Sequence, residues 1–309
     1  MRVVFFGTPD FAAVSLDAVL ESKHEVVGVV AQPDRKAGRG LKVHRPETAL
    51  LAESRGVPVL QPSKIRTDQF LDSIRGMHPD VGVVVAYGRI LPSALLEIPP
   101  HGFLNVHASI LPAFRGAAPI QRAIENGEEE TGVSIMQVDE ELDHGPILST
   151  RTAPIEGDER APELFDRLAE IGAELMVETL DAIERGAVTP QEQQHSKATL
   201  APRIEKNEGE IDLSQSAKVI YDRFRAFWPW PGLSILAGGE RLKLMEIAPE
   251  PGTSRKSPGT IVTIDDDSVI VATGKGLLRL REVQRPGRRS VSAADYVRGR
   301  RLEPGTSLL

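Results

Sequence analysis

The chain contains no cysteine. That excludes disulfides, thiolate metal sites and a cysteine nucleophile, and it fits a reducing compartment. No apolar run reaches membrane-spanning length, and the stretch Met1 to Gly7 is too short for the apolar core of a signal peptide. No membrane partner is expected, and the expected location is cytoplasmic. The first apolar run is followed by Gly7-Thr8-Pro9 rather than Gly-x-Gly-x-x-Gly, so nothing supports a dinucleotide cofactor. His-Glu-x-x-His is also missing, and no metal is expected. Internal repeats and low-complexity tracts are not evident.

What is present describes a folded protein. The chain has 309 residues, 40% hydrophobic and 26% charged, enough apolar surface to offset chain entropy and long enough to suggest two cores. The net charge of −7 is unevenly spread. Residues 1–206 carry 21 basic and 31 acidic side chains (−10), whereas residues 207–309 carry 16 and 13 (+3). A relatively basic half on an acidic protein points to a polyanionic partner, because Lys and Arg release condensed counterions from phosphates.

Short apolar runs at Val3 to Phe6, Val26 to Val30, Val81 to Ala86 and Phe103 to Val106 alternate with helical patterns at Phe11 to Ser22, Pro46 to Arg55, Thr67 to Arg75 and Pro119 to Asn126. Val57 to Leu60 contains Pro58 and reads as an edge strand at best. Val133 to Val138 and Pro146 to Arg151 follow as strands, then a helix from Ala161 to Arg185. This texture predicts an α/β domain over residues 1–188, with a Rossmann-like, open and mostly parallel sheet covered on both faces. Residues 189–206, including Gln191-Glu192-Gln193-Gln194, are polar and aperiodic, as a linker would be. Beyond them, residues 207–309 show one helix (Ser216 to Phe227) and several short β runs separated by Gly-rich turns, predicting a small OB-like antiparallel β-barrel. Trp228-Pro229-Trp230-Pro231 is expected to pack in the core beside the first of those strands.

Asn105 and His107 are two residues apart at the end of an apolar strand, so their side chains share one face. The carboxyl ends of such strands are where ligands gather in open α/β sheets. By residue type alone, His107 reads equally well as a loop hydrogen-bonder, and Asp143 in Asp143-His144-Gly145 as a turn residue. A metal site made of His107, Asp143 and His144 is conceivable on the same grounds.

The following segment narrows the choice. Asn105-Val106-His107, then Ser109-Ile110-Leu111-Pro112 and Arg115-Gly116, together with Glu141-Leu142-Asp143-His144-Gly145, resemble the 10-formyltetrahydrofolate-dependent formyltransferases. Gly7-Thr8-Pro9-Asp10-Phe11-Ala12, Gln32-Pro33-Asp34-Arg35, Ala37-Gly38-Arg39-Gly40 and Val85-Ala86-Tyr87-Gly88 resemble the branch of that family acting on methionyl-tRNA. The resemblance spans nearly the whole chain and is looser in the second domain. It implies a catalytic trio of Asn105, His107 and Asp143, and no catalytic role for His144, which occupies a variable position. It also implies a folate donor bound by Ser109, Ile110, Leu111 and Pro112, by the turn Val85, Ala86, Tyr87 and Gly88, and by the loop from Asp139.

The chemistry suits these residue types. Attack of an amine on a formyl amide develops negative charge on oxygen, which an amide donor and a protonated imidazole can stabilise. A carboxylate beside an imidazole can move the amine's proton toward N10 of the folate.

The resemblance further implies methionyl-initiator tRNA as acceptor, with the polar loop Gln32 to Arg45 entering its acceptor stem through Arg35, Lys36, Arg39 and Lys42. Such a run also reads as an ordinary solvated surface. Eight Arg and two acidic residues between Arg279 and Arg301 suggest a basic face for the tRNA backbone, or again a soluble surface. Competing readings are formyltransferases acting on glycinamide ribonucleotide or on an amino sugar, a hydrolase releasing formate, and a catalytically silent tRNA-binding protein. The protein is expected to act as a monomer.

Overall fold

A computed structural model describes all residues except 38–41, and only the main chain at 36, 37 and 42. The chain divides into two units. Residues 1–119, 130–154 and 164–202 form the first; residues 120–129, 155–163 and 203–309 form the second. Residues 189–202, whose composition suggests a linker, thus belong to the first unit, while two short pieces from the middle of the chain belong to the second.

The elements follow in the order β1 (Arg2–Gly7), α1 (Asp10–Glu21), β2 (Glu25–Val30), β3 (Arg35–Ala37), β4 (Lys42–His44), α2 (Glu47–Ser54), β5 (Val59–Leu60), α3 (Asp68–Arg75), β6 (Val81–Val85), α4 (Ser93–Leu96), β7 (Phe103–His107), α5 (Pro119–Glu125), β8 (Glu130–Gln137), β9 (Ile147–Pro154) and α6 (Ala161–Glu184). The first sheet has the order β5-β2-β1-β6-β7-β8-β9. Pairing is parallel from β5 through β7 and antiparallel at β8 and β9. The expected open, mostly parallel α/β sheet is therefore present, with the Pro58 run at its edge. The fully buried residues of β1 and β6 explain their unbroken apolar character, since a strand covered on both faces has no polar side. Strand order reverses between β1 and β6, whose last residues Gly7 and Val85 are register partners. A crevice at such a switch point is where an open sheet binds ligands.

Local chemistry sets the helix ends. Thr67 caps α3 by accepting from the Phe70 main-chain N–H at 3.3 Å, while Phe70, Leu71 and Ile74 form its buried face. They join a core around Phe6, whose ring meets Phe70, Tyr87 and Phe103 edge-on at centroid distances of 6.4, 5.3 and 5.3 Å. This core takes in residues near the carboxyl ends of β1 and β6 and the first residue of β7.

In the second unit, α7 (Ala217–Ala226) precedes β10 (Leu233–Ala237), β11 (Glu240–Glu250), β12 (Ile261–Ile264), β13 (Val269–Ala272), β14 (Leu277–Gln284), β15 (Ser290–Ser292) and α8 (Ala293–Gly299). The sheet is antiparallel, ordered β10-β11-β14-β13-β12, with β15 on β14. α8, capped by Ser292 on the Asp295 N–H, lies inside the Arg-rich tail, which the sequence alone presents only as a strand and a charged end. The expectation that both tryptophans are core holds only in part. Trp228 is half-buried beneath the Arg160 guanidinium, 4.6 Å from its ring, but Trp230 is 58% exposed. The chain reverses there, with the Gly232 N–H donating to Phe227 O, so Trp230 stands at the tip of a turn. No helix among the described residues is long and apolar enough to cross a membrane.

Candidate active site

β7 brings the site together. Asn105 is the register partner of Val84 on β6 and Met136 on β8, and His107 that of Ser134 on β8. Both side chains leave the strand on one face at its carboxyl end. The Asn105 carboxamide makes no hydrogen bond to any described residue, so its donors and acceptor remain open to a ligand. The His107 ring is buried, with Nε2 at 2.9 Å from Phe114 O. A carbonyl only accepts, so Nε2 carries the proton and the neutral ring presents a bare Nδ1. That Nδ1 faces the Asp143 carboxylate at 3.6 Å. The separation is too long for a hydrogen bond and short enough for transfer through a water or a small closure.

Asp143 reaches His107 from another loop, 36 positions along the chain. Its φ of +48° is unusual for a residue with a side chain, and the loop must hold it there. Asp143 Oδ2 accepts the Gly116 main-chain N–H at 2.8 Å. Gly116 has φ +126°, and a Cβ there would come within 2.7 Å of Ala201 O. At Gly145 a Cβ would meet Gln137 O at 2.0 Å, so the loop closes against β8 only with glycine in that place. Asn105 and His107 are thus placed by the alternation of β7, and Asp143 is brought to His107 by its own loop.

The residues expected to bind folate lie in two segments, the turn after β6 and the segment after β7, and they differ in exposure. Val85, Tyr87, Ser109 and Leu111 are buried, while Ala86 and Gly88 are exposed in the turn after β6. Ala86 and Gly88 both take positive φ, at +47° and +76°. The Ser109 hydroxyl donates to Ala113 O at 2.6 Å, closing the Ser109 to Ala113 turn on itself, and Ile110 and Pro112 are half-buried beside it. Burial pushes the Tyr87 hydroxyl above the usual phenol range, against a smaller opposing effect of Arg89. That hydroxyl has no partner among the described residues. The Asp139 carboxylate is committed locally, to the Glu141 N–H at 2.9 Å and to His144 Nδ1 at 2.7 Å. His144 in turn stacks on His195, with ring centroids 4.0 Å apart and planes within 3°. His107, Asp143 and His144 therefore do not converge on a common point that a metal ion would occupy.

Of the residues expected to contact RNA, Arg35 is exposed on the β3–β4 hairpin, its guanidinium donating to Gln32 Oε1 at 3.3 Å. Lys36 and Lys42 are main-chain partners of Val43 and Ala37 in that hairpin. Arg39 lies outside the described residues. A cleft of about 320 Å³ opens beside the hairpin, lined among others by Thr8, Asp10, Gln32, Arg35 and His44. In the second unit the Arg-rich segment is less bare than its charge count suggests. Arg279 bridges Glu250 and Asp265, Arg285 and Arg300 share Glu240, and Arg298 pairs with Asp295. Arg288, Arg289 and Arg301 are exposed and form no ion pair among the described residues, and exposed Arg281 acts on Glu250 only through its field.

Four residues near the trio receive no role from sequence reasoning: Arg115, which enters it only as part of a motif, and Gln193, His195 and Thr199. Arg115 and Gln193 are buried polar side chains hydrogen-bonded to each other, and Thr199 meets the Phe114 and Arg115 main chain. Three of the four sit in a stretch whose polar, aperiodic composition resembles a linker.

A carboxamide, an imidazole and a carboxylate near the strand ends of an open α/β sheet are groups able to polarise a carbonyl and move a proton, the chemistry of a group-transfer enzyme. Two family models match the chain, formyl transferase over residues 1–180 and the formyl transferase C-terminal domain over residues 203–301. The methionyl-tRNA formyltransferase of Thermus thermophilus is 47% identical over 308 residues, covering 100% of this chain and 99% of that protein. That of Geobacter metallireducens is 44% identical, covering 100% and 98%. Among solved structures, the N-formyltransferase of Helicobacter canadensis, in complex with folinic acid and dTDP-3-aminofucose, shares the fold with a TM-score of 0.68 at 16% identity, over 91% of this chain and 99% of that one. The chain belongs to the formyl transferase family, in the branch of the methionyl-tRNA formyltransferases.

Proposed function

We propose that this protein transfers the formyl group of 10-formyltetrahydrofolate to the amino group of methionyl-initiator tRNA, the modification that marks the first residue of a nascent chain. The observation that carries the reading is the convergence of Asn105, His107 and Asp143 in a chain whose full-length relatives bear that name. The amino nitrogen attacks the formyl carbon, its carbon–oxygen double bond opens to an oxyanion, and the bond to N10 of the folate then breaks. Asn105 donates to the oxyanion, joined by the Nδ1–H of His107 when that ring is protonated. Removing one such donor typically costs ~2.7–4 kcal/mol of transition-state stabilisation. Asp143 receives the proton the amine loses and returns it toward N10, directly or through His107 Nδ1, the only ring nitrogen not committed to Phe114 O. No covalent enzyme intermediate is needed.

The folate lies along the two segments, Val85 to Gly88 and Ser109 to Pro112, held largely by main-chain groups, with the loop from Asp139 beside it. The β3–β4 hairpin, through Arg35, Lys36, Arg39 and Lys42, contacts the acceptor stem, and the exposed arginines of the second unit meet the tRNA backbone. The trio and the hairpin belong to one unit of one chain, which supports a monomer as the working form; the proposed location is the cytoplasm. The test is formylation of aminoacylated initiator tRNA, with glycinamide ribonucleotide and an amino-sugar nucleotide offered in parallel. N-formylmethionyl ester is the expected product; preferential formylation of either alternative would overturn the assignment. His107→Ala is expected to abolish transfer to every acceptor.

A further inference from the structure

The polar stretch between the two family regions, residues 191–201, is stitched to both loops of the reaction centre. Gln191 exchanges two main-chain hydrogen bonds with Ile147 on β9, each 2.8 Å. Thr199 O accepts the Arg115 N–H at 2.8 Å, and the Thr199 hydroxyl oxygen accepts the Phe114 N–H at 2.8 Å. Phe114, at φ +60°, is the residue whose carbonyl fixes the His107 ring. Between these anchors sits Gln193, which is 5% exposed. Its Nε2 donates to Asp143 O at 3.0 Å and to Gly145 O at 2.7 Å. Its Oε1 accepts from Arg115 Nε at 3.1 Å and Nη2 at 2.6 Å. Both donors and both acceptor positions of one buried carboxamide are therefore used. Arg115 Nη2 also donates to His195 Nδ1 at 2.9 Å, and His195 lies flat on His144 of the same Asp143 loop.

We propose that residues 191–201 are a strap belonging to the catalytic site, and that Gln193 is a positioning residue that sets the place of Asp143. The proposal rests on the formyl-transfer reading above. Asp143 adopts a backbone conformation that residues with side chains avoid, and such a conformation persists only where the surroundings over-determine it. Gly116 holds the carboxylate and Gln193 holds the main chain. With both in place, Oδ2 stays on the Nδ1 side of His107. Gln193 touches no reacting atom; it acts through Asp143, with Arg115 fixing which end of its amide points at the loop. Without it, the main chain at φ +48° loses the hydrogen bond that ties it to the buried Gln193–Arg115 pair, and the carboxylate drifts from the imidazole. A displacement on the order of 1 Å at a reacting group can cost roughly 100-fold in rate.

The experiment is a double-mutant cycle on the full chain, using 10-formyltetrahydrofolate and methionyl-initiator tRNA. Gln193→Leu is expected to lower kcat about 10- to 100-fold, leaving KM for both substrates within about twofold, with a circular-dichroism spectrum matching the wild type. In the Asp143→Ala background the same substitution is expected to change kcat less than about twofold, because its effect passes through the missing carboxylate. A wild-type kcat in folded Gln193→Leu, or a full independent loss added to that of Asp143→Ala, overturns the proposal. Should Gln193→Leu fail to fold, Gln193→Glu carries the same test. It keeps shape and the contact with Arg115 while turning two donors into acceptors that face Asp143 O and Gly145 O. Absence of formylation by the wild type would instead overturn the functional reading, which separates the two failures.

Discussion

Replacing Gly116 by alanine tests the geometry of the site with one methyl group. The new Cβ would stand 2.7 Å from Ala201 O and 3.2 Å from Ala201 C, main-chain atoms that cannot swing aside as a side chain would. Ala201 O already accepts the Ala118 N–H at 3.1 Å, and the Ala201 N–H donates to Arg115 O at 2.7 Å, so the opposing chain is tied down. At φ +126° the backbone itself disfavours any residue with a Cβ, at ~1–3 kcal/mol. The turn must open, and the Gly116 N–H then moves from Asp143 Oδ2. A hydrogen bond to a charged group contributes ~1.5–3 kcal/mol, and losing half of it in the transition state would slow transfer roughly 4- to 13-fold. Gly116→Ala is thus expected to lower stability by about 2 kcal/mol and kcat by about tenfold, with folate KM little changed. Thermal melting followed by circular dichroism reads the first, and steady-state formylation of methionyl-tRNA at a temperature where the variant is folded reads the second. A variant that melts like the wild type and turns over at full rate would refute the reasoning, since neither the clash nor the Gly116–Asp143 bond would then matter.

Tyr87→Phe removes a buried hydroxyl that has no partner among the described residues, so it is expected to leave folate KM unchanged and stability equal or higher by up to ~1 kcal/mol in urea unfolding. A raised KM would show that the hydroxyl reaches the donor after all. Glu208 accepts Arg122 Nη1 at 2.7 Å and Nη2 at 3.0 Å, and this pairing is the largest cause holding its carboxyl below the usual range. A depressed carboxylate stabilises fully above its ordinary value near 4.5 and loses that contribution as pH falls through its folded value. Glu208→Gln should therefore be less stable than wild type by about 1 kcal/mol at pH 7, with the gap narrowing as pH falls below the ordinary value near 4.5; a gap that does not narrow on acidification would contradict the assignment.

Much of the site is legible because it is local. The two-residue spacing of Asn105 and His107 on a largely apolar strand puts them on one face whatever surrounds them, and strands β1, β2 and β6 announce themselves as apolar runs. The short hairpin β3–β4, the helix α8 and the exposed Trp230 are not legible in that way. Their positions follow from turns and neighbours rather than from a period. The same is true of most arginines of the tail: Arg279, Arg285 and Arg300 count as free charge along the chain, but each meets a carboxylate of β11 in the folded unit, whereas Arg298 pairs locally within α8.

By itself the sequence determined the class of sheet, the strand that presents Asn105 and His107, and the family, because periodicity and short motifs survive without long-range contacts. Only the tertiary structure decided which atom of His107 is free and what holds Asp143. It also decided that a glutamine-rich stretch with the composition of a linker is hydrogen-bonded to the loops that carry Arg115 and Asp143. The reason is that Gln193 gains its meaning from partners 48 to 78 positions away. A carboxamide that saturates its hydrogen bonds across such distances leaves no pattern along the chain, only in space.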